Sequence, residues 1–349
     1  MDFSKERCNR EFHQEVPVWG EDTPMKTMFT AFAGGMLLCS TAFVPAYAQD
    51  YPTDTITMFV GYSAGGQADA LARAVGDALG TKLGATVVVE NKPGANGLLA
   101  AQTVAQGDPD GYQLLFVTDA MMTIEPQLAE SQQWDAKGNL TPVILLGESP
   151  LVVGVNTETP ANTVAELVEA AKASGDTLTF GTSGTATPHR MAGEAIGKVS
   201  GVPVKNVSYK GTSAAVTDLA GGQVDMVIGS TTAFKPLMEA NKVKLIGNFD
   251  DETSPLDPTV PLVDASLPGI EHFDIWYGIT VANGTPPEIV EKLNAALDEV
   301  VNDPAMAAPL AAVGVTPVGG KPEDLTRVVD EDFAQRGAIL EELGLKAGS

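Results

Sequence analysis

The sequence predicts an α/β fold of mostly parallel sheets flanked by helices, and three observations support this prediction. Short apolar runs rich in β-branched residues alternate with helical patterns from Tyr51 onward. Two of these runs pass through glycine-rich turns into alanine-rich helices. The composition also changes near 147–156, and a later apolar run at 273–281 has the character of a strand leading back.

Strands are predicted where short apolar or β-branched runs are bounded by turn residues. They cover 55–60, 86–90, 113–118, 151–155, 177–181, 204–208, 224–229 and 243–248. Helices are predicted where apolar residues recur every three or four positions. They cover 69–80, 98–106, 163–174, 188–199, 212–220, 286–303 and 322–342. Because strands and helices alternate, the sheets are expected to be parallel.

The predicted crossing near 147–156 and the predicted return at 273–281 divide the chain into two lobes. A chain that leaves one lobe and later returns has two linkers, and two linkers make a hinge. We therefore predict one lobe from residues 49–150 together with 274–349, and a second lobe from residues 151–273.

Residues 1–48 are predicted to lie outside the mature fold. Lys26 precedes an apolar run at 28–44, and an Ala-x-Ala pattern ends at Ala48, which is typical of a cleaved signal peptide. Cleavage there would leave a mature chain that starts at Gln49. An uncleaved membrane anchor is the alternative. Residues 1–24 are polar, so either Met1 or Met25 is the start of translation.

Charge and cysteine content exclude several kinds of function. The 349 residues hold 21 Lys and Arg against 45 Asp and Glu, a net charge of −24, so nucleic-acid binding is not expected. Cys8 and Cys39 both lie in the segment predicted to be removed, which excludes a disulfide or a thiolate metal site in the mature chain. We find no paired-histidine metal spacing and expect no metal or cofactor. An anion site in so acidic a chain must be local.

Two glycine loops follow the first two predicted strands: loop 1 covers residues 61–66 and loop 2 covers residues 94–97. Each opens a helix, whose free N–H groups carry partial positive charge, so together the loops could bind an anion through their backbone. Packing turns in an α/β sheet are the alternative. If the backbone of Gly66 faces the ligand, this position should tolerate no side chain. The predicted ligand contacts are Tyr62, Ser63, Ala64, Gly65, Gly66 and Asn96, with Asp69, Gly94 and Gly97 as structural loop residues.

Further candidate contacts stand at the ends of later predicted strands and at the return crossing. They are Thr118, Asp119, Thr182, Ser183, Gly184, Thr185, His189, Gly211, Thr212, Ser230, Thr231 and Trp276. Hydroxyls and backbone amides suit a carboxylate, although helix capping would use the same residue types. His189 could equally be a packed or capping histidine. A Ser-His-Asp triad with Ser183 or Ser63 is formally possible, but no Gly-x-Ser-x-Gly elbow supports it.

Taken in order, the motifs resemble those of a known family. They are GYSAGGQAD at 61–69, VENKPGANG at 89–97, PDGY at 109–112, YKGT at 209–212, TDLAGGQVD at 217–225, LPG at 267–269 and GTPP at 284–287. The chain resembles the periplasmic solute-binding proteins of tripartite tricarboxylate transporters, often called the Bug family, from about Tyr51 to about Leu343. The resemblance implies a two-lobed, type II Venus-flytrap protein that is a receptor and not an enzyme.

The same resemblance implies a small carboxylate ligand, held between the lobes largely by backbone amides. Family members bind di- and tricarboxylates, acidic amino acids and aromatic acids. The implied partners are the membrane permease subunits of a tripartite transporter, and we expect a monomer. An exported α/β hydrolase using Ser183 or Ser63, and a ligand-sensing receptor for a signalling partner, remain alternatives.

Two residues depart from the family pattern. Loop 1 has Gly61-Tyr62 where the family usually has Pro-Phe, and Tyr62 keeps an aromatic ring and adds a hydroxyl. Asp119 replaces the small neutral residues usual after the third strand. A buried carboxylate beside an anion is costly. Asp119 must therefore face away from the ligand, or the ligand must carry a cationic or hydroxyl group at that point.

Overall fold

The computed structural model describes residues 51–128, 135–184, 187–209, 211–250, 259–342, 344 and 346. They belong to one compact unit, Ala46–Ser349. The predicted signal peptide with its cleavage site at Ala48 lies outside the described residues, and so does Thr185.

Ten strands form the sheet in the described part of the chain. They are β1 Ile56–Val60, β2 Val87–Asn91, β3 Gln113–Thr118, β4 Leu140–Asn156, β5 Leu178–Thr182, β6 Val204–Ser208, β7 Met226–Ser230, β8 Val243–Asn248, β9 Asp274–Ala282 and β10 Thr316–Pro317.

The described helices fall mostly between strands. They are α1 Gln67–Leu83, α2 Leu98–Ala105, α3 Glu125–Leu128, α4 Ala136–Asn139, α5 Val164–Ser174, α6 Pro188–Ser200, α7 Thr212–Ala220, α8 Thr231–Glu239, α9 Val263–Ser266, α10 Pro287–Val301, α11 Ala307–Ala312 and α12 Pro322–Glu342. Short 3₁₀ turns cover Ala95–Gly97 and Pro304–Met306, and a π turn covers Ala120–Ile124.

The strand order is β2-β1-β3-β9-β4-β7-β5-β6, and β8 and β10 pair with β4. We call β2-β1-β3-β9, with residues 140–150 of β4, the first half-sheet. The second half-sheet comprises residues 151–156 of β4 with β7, β5, β6 and β8. Strands β1, β2 and β3 are parallel to one another, as are β5, β6 and β7. The expectation of parallel sheets is wrong for β4, β8, β9 and β10, which pair antiparallel.

The strand register places the carboxyl ends of both parallel sets opposite each other. Thr118, at the end of β3, pairs with Tyr277 of β9, which pairs with Gly147 of β4. Ser230, at the end of β7, pairs with Leu151 of β4. Four residues of strand span about 13 Å. The loops that follow the two parallel sets therefore approach each other across a short stretch of β4.

Alternating side chains of the first half-sheet enter two separate cores. Met58 and Val60 of β1 pack with residues of α1 and α10, whereas Phe59 packs with residues of α2 and α12. Because both faces are buried, β1 and β3 read as nearly continuous apolar runs. Rigid packing on both faces holds the strand ends, and the loops that follow them, in place.

Candidate ligand-binding site

Loop 1 is held by a carboxylate beneath it. The Gly65 amide donates a 2.8 Å hydrogen bond to Oδ2 of Asp69, and Gly65 has a φ of 84°, which favours glycine. Asp69 also accepts from Asn91 Nδ2 at 2.9 Å and pairs with Arg73 at 2.9 Å. Burial alone would raise the pKa of Asp69, but the bonds from Arg73, Gly65 and Asn91 lower it. Residues 63–66 remain exposed.

Loops 1 and 2 touch backbone to backbone. A Cβ on Gly61 would lie 2.3 Å from the Cα of Gly97, so glycine is required by this close approach. In loop 2, Asn96 has a φ of 47°, and its side chain donates to Glu125 at 2.7 Å. Gly94 accepts from the amide of Gly97 at 2.9 Å and shapes the turn. The two loops thus form one continuous surface at the ends of β1 and β2.

Tyr62 connects loop 1 to the end of β3. Its hydroxyl lies 2.7 Å from Oγ1 of Thr118 and 3.4 Å from the carbonyl of Asn96, to which it can donate. Burial raises the pKa of Tyr62 far above its ordinary value, so the hydroxyl is neutral. The added hydroxyl of Tyr62 therefore serves to tie three loops together.

Asp119 is buried, with 1% of its surface exposed. Neither carboxyl oxygen has a well-formed hydrogen bond to another described residue, although the amide of Ala120 lies near enough to favour the charged form. Burial raises the pKa of Asp119 well above its ordinary value; Arg336 opposes this, whereas Asp332 and Asp274 add to it. The protein thus surrounds Asp119 with its own charged groups.

Arg336 of α12 is the centre of this buried group. Its Nη2 lies 3.2 Å from Oδ1 of Asp274, and its Nε lies 3.7 Å from Oδ2 of Asp332. Trp276 donates from Nε1 to Oδ2 of Asp332 at 2.7 Å and is 1% exposed. The structure therefore places Trp276 in the core against α12. Its role as a ligand contact stays a prediction.

Sequence reasoning missed Arg336, whose role depends on a distant part of the chain. The available signal was the Asp332–Arg336 spacing of four residues, which on a helix usually indicates an exposed ion pair. Only the packing of α12 against the first half-sheet buries this pair beside Asp119.

The loop after β5 combines a hydroxyl with a neutral imidazole. Ser183 Oγ lies 3.2 Å from Nδ1 of His189, a buried residue in the first turn of α6. Burial lowers the pKa of His189 to about 4. The buried Thr182 hydroxyl lies 2.9 Å from the carbonyl of Gly184 and 2.8 Å from Oδ1 of Asn206, so it is used within the loop.

The two remaining loops of the second half-sheet also open helices. Gly211 precedes α7, which begins at Thr212. Ser230 precedes α8, which begins at Thr231, and its hydroxyl lies 3.3 Å from that of Thr232. These predicted contacts stand at the ends of β6 and β7, as Ser183 stands at the end of β5.

Helix N-termini give the site its electrostatic character. Helices α1, α2, α6, α7 and α8 all begin just after the carboxyl ends of parallel strands. The residues preceding α1, α2, α7 and α8 make no side-chain cap bond, so first-turn N–H groups are not satisfied by a cap. Such N–H groups, with the helix dipole, favour an anion.

The described residues contain neither a candidate metal site nor a candidate membrane span. Among these residues, no three or more His, Cys, Asp or Glu side chains are grouped so as to hold a metal ion. No helix in this part of the chain is long and apolar enough to cross a membrane.

This fold, with loops facing across shared strands, is that of periplasmic solute-binding proteins. The chain superimposes on an adipate-bound protein of R. palustris with a TM-score of 0.78 and 28% identity, covering 84% of this chain and 99% of that one. The periplasmic binding protein BugD superimposes with a TM-score of 0.75 and 29% identity, covering 85% of this chain and 99% of that one. Malate-bound MatC from Rhodopseudomonas palustris superimposes with a TM-score of 0.73 and 26% identity, covering 83% of this chain and 100% of that one. The predicted fold class is confirmed.

The family model described as the tripartite tricarboxylate transporter family receptor matches residues 71–345. A UPF0065 protein of Bordetella bronchiseptica is 30% identical over 310 residues, covering 89% of this chain and 92% of the relative. A UPF0065 protein of Cupriavidus necator is 32% identical over 306 residues, covering 87% and 92%. The chain belongs to the tripartite tricarboxylate transporter receptor family, which confirms the resemblance drawn from its motifs.

Proposed function

We propose that this protein is a periplasmic receptor that captures a small carboxylate between two lobes and delivers it to the permease subunits of a tripartite transporter. The carrying observation is that two sets of helix N-termini, mostly without side-chain caps, face each other across residues 147–151 of β4. A carboxylate between them would accept hydrogen bonds from both sides. Adipate and malate in two similar structures support this ligand class.

Capture requires the lobes, residues 49–150 with 274–349 and residues 151–273, to close about β4 and β9. The crossing stretch of β4 contains Ser149, whose hydroxyl lies 3.2 Å from Nε2 of Gln67, the first residue of α1. The same nitrogen donates to the carbonyl of Val313 at 2.6 Å. Gln67 therefore couples loop 1 to the stretch about which the lobes would rotate.

The test is titration of the mature chain, starting at Gln49, with adipate and malate by calorimetry. Adipamide, an uncharged analogue of similar length, is the control. We expect the dicarboxylates to bind and to reduce the radius of gyration in small-angle scattering, whereas adipamide does neither. At 100 times the dissociation constant, the ligand should stabilise the fold by about 2.7 kcal/mol. A radius that stays constant at saturation would contradict closure.

Export is tested separately by mass spectrometry of the periplasmic fraction. Cleavage after Ala48 predicts a product that begins at Gln49 and contains no cysteine. A full-length product retained in the membrane would contradict this part of the proposal.

An esterase or other hydrolase is the second candidate, because Ser183 and His189 lie within hydrogen-bond distance. Burial is the sole cause that lowers the pKa of His189 to about 4, and no carboxylate contributes to it. A histidine with so low a pKa is a weak general base at neutral pH. We therefore expect no turnover of p-nitrophenyl esters by the wild type. Turnover by the wild type that disappears in Ser183→Ala would instead support the hydrolase.

A receptor that signals instead of transporting would share the fold and the ligand. The gene neighbourhood separates the two roles, since transport requires neighbouring genes for two membrane subunits. A neighbouring sensor kinase in their place would favour signalling.

A further inference from the structure

The pair formed by Ser183 and His189 raises a question about one hydrogen atom. Ser183 Oγ and His189 Nδ1 are 3.2 Å apart, and either can be the donor. If Nδ1 is bare, the serine must donate its single hydrogen to the ring. If Nδ1 carries a hydrogen, the ring donates to Oγ and the serine hydrogen is free. A carboxylate ligand can only accept, so the tautomer decides whether Ser183 can bind it.

The neighbouring hydroxyls show why Ser183 differs from the rest of this loop. Thr182 Oγ1 lies 2.9 Å from the carbonyl of Gly184, and Thr187 Oγ1 lies 3.4 Å from the same carbonyl. These two hydroxyls are therefore used to hold the turn. Ser183 is half-buried at the end of β5, and its hydroxyl faces the imidazole instead of a loop carbonyl. Among the described hydroxyls of this loop, that of Ser183 is therefore the one that can serve a ligand.

We propose that His189 is a positioning residue that donates from Nδ1–H to Ser183 Oγ, so that Ser183 presents its hydrogen to the ligand carboxylate. The part of this inference that concerns the ligand rests on the proposed function. The part that concerns the tautomer does not, because the tautomer is a property of the free protein. His189 is held for this task by its place in the first turn of α6, where Thr187 accepts from the Arg190 amide and fixes the helix start. A bound carboxylate would favour the same tautomer, since only that tautomer frees the serine hydrogen.

The chain supplies its own reference for measuring the tautomer. His272 Nδ1 lies 3.1 Å from the carbonyl oxygen of Phe249, and a carbonyl can only accept. A neutral His272 in this contact must therefore carry its hydrogen on Nδ1. The sequence has three histidines, and a chain that starts at Gln49 keeps only His189 and His272. Two imidazoles can be assigned by comparing wild type with His272→Gln.

The first experiment is long-range ¹H–¹⁵N correlation NMR of the ¹⁵N-labelled mature chain at pH 8, where histidine is ordinarily neutral. We expect His189 to show the Nδ1–H pattern that His272 shows. An Nε2–H pattern for His189 would overturn the proposal, because Ser183 would then be donating to the ring. This result needs no ligand and is independent of the proposed function.

The second experiment measures adipate and malate affinity in a double-mutant cycle. Ser183→Ala and His189→Leu should each weaken binding about tenfold or more, as loss of a hydrogen bond to a charged group does. The double variant should be no weaker than either single one. His189→Asn keeps a donor close to the position of Nδ1 and should bind within about threefold of wild type.

Losses that add in the double variant would overturn the coupling between the two residues. Equal losses in His189→Asn and His189→Leu would overturn the role of the Nδ1 hydrogen. Thermal unfolding of every variant separates lost affinity from lost folding. If wild type binds neither acid, the proposed function fails, and the NMR result still supports or overturns the assigned tautomer.

Discussion

The loops of the first half-sheet and those of the second face each other but are held by different chemistry. Ionised groups hold the first set: Asp69 pairs with Arg73 beneath loop 1, and Arg336 pairs with Asp274 and Asp332 behind it. In the described part of the second set, hydroxyl contacts and the neutral His189 lie at the loops themselves. Ionised groups lie further back there, where Asp218 accepts from the Tyr209 hydroxyl at 2.9 Å and Arg190 pairs with Glu194 at 3.6 Å.

The difference suggests different tasks for the two sides. Loop 1 is oriented before any ligand arrives, since Asp69 already holds the Gly65 amide. Preorganised amides cost little to use in binding. Hydroxyls rotate, and their hydrogen can be redirected by a neighbour such as His189. We expect the first half-sheet to hold any carboxylate and the second to discriminate among carboxylates.

The largest expected effect comes from removing the charge at the centre of the first set. Arg336→Leu leaves Asp274 and Asp332 without their shared cation, and breaking a buried ion pair costs about 3–5 kcal/mol. Because the side chains of Asp332 and Asp274 are 14% and 41% exposed, we expect a cost near the lower end of that range. Arg327→Leu on the same helix is the control. Its side chain is 59% exposed against 2% for Arg336, so we expect less than about 1 kcal/mol.

Urea unfolding of both variants measures these costs. A small effect of Arg336→Leu would mean that Asp119 and its neighbours take up protons and adapt without the guanidinium. The first set would then depend on packing rather than on charge, and the contrast between the two sides would disappear.

The two sides should respond to pH in opposite directions. The pKa of His189 is about 4 in the fold and 6.5 ordinarily, so between these values the unfolded chain binds more protons and stability rises with pH. This contributes up to about 3 kcal/mol between pH 4 and 6.5. The pKa of Asp119 is raised well above 3.8, so its contribution is present at low pH and lost as pH rises through the folded pKa.

Unfolding free energies from pH 4.5 to 8 separate the two contributions. His189→Gln should flatten the rise below pH 6.5, because an amide does not titrate. Asp119→Asn should remove the decline that follows as pH rises through the raised pKa of Asp119, because Asp332 and Asp274 then repel the charged carboxyl. Identical pH profiles for the wild type and both variants would show that burial shifts the pKa of neither His189 nor Asp119.

Much of this architecture was predictable from the sequence, because local patterns decide it. The predicted strands at 204–208 and 243–248 match β6 and β8, and the helix at 322–342 matches α12. Residues 140–150 of β4 were missed, since Pro142, Gly147 and Pro150 resemble turn signals. Register shifts near Pro142 and Gly147 show how the strand accommodates them.

The site was predictable only in part. Strand ends with glycines or hydroxyls can be read from sequence, because parallel strands bring their carboxyl ends to one edge. The electrostatic interaction of Asp119 with Arg336 and the hydrogen bond of Trp276 to Asp332 join segments far apart in the chain. No local pattern encodes such contacts, so the packing of Trp276 against α12 could not be predicted, and its role as a ligand contact stays a prediction.

Substitutions at two glycines of loop 1 distinguish a packing turn from a backbone that faces the ligand. A Cβ on Gly61 would lie 2.3 Å from the Gly97 backbone, so Gly61→Ala should cost about 1–3 kcal/mol. A Cβ on Gly66 would meet only the Ser63 carbonyl at 3.7 Å, and its φ of −83° suits any residue. We expect Gly66→Ala to keep its stability within about 0.5 kcal/mol and to lose affinity. Equal stability losses in both variants would favour packing turns over a ligand-facing backbone.

The smallest effect tests whether the carboxylate beneath loop 1 serves the site or only the fold. Asp69→Ala releases the Gly65 amide and should cost about 1–2 kcal/mol. Asp225 is the control, because its Oδ2 accepts from the amide and the hydroxyl of Thr179 near the start of β5, away from the strand ends where the ligand is proposed to bind. Asp225 is exposed whereas Asp69 is buried, so Asp225→Ala should cost less stability. Calorimetry with adipate should then show weaker binding only in Asp69→Ala, since only there does an oriented amide of loop 1 lose its support. Equal affinity in the two variants would mean that loop 1 does not need preorganisation to bind a carboxylate, and that its rigidity serves folding alone.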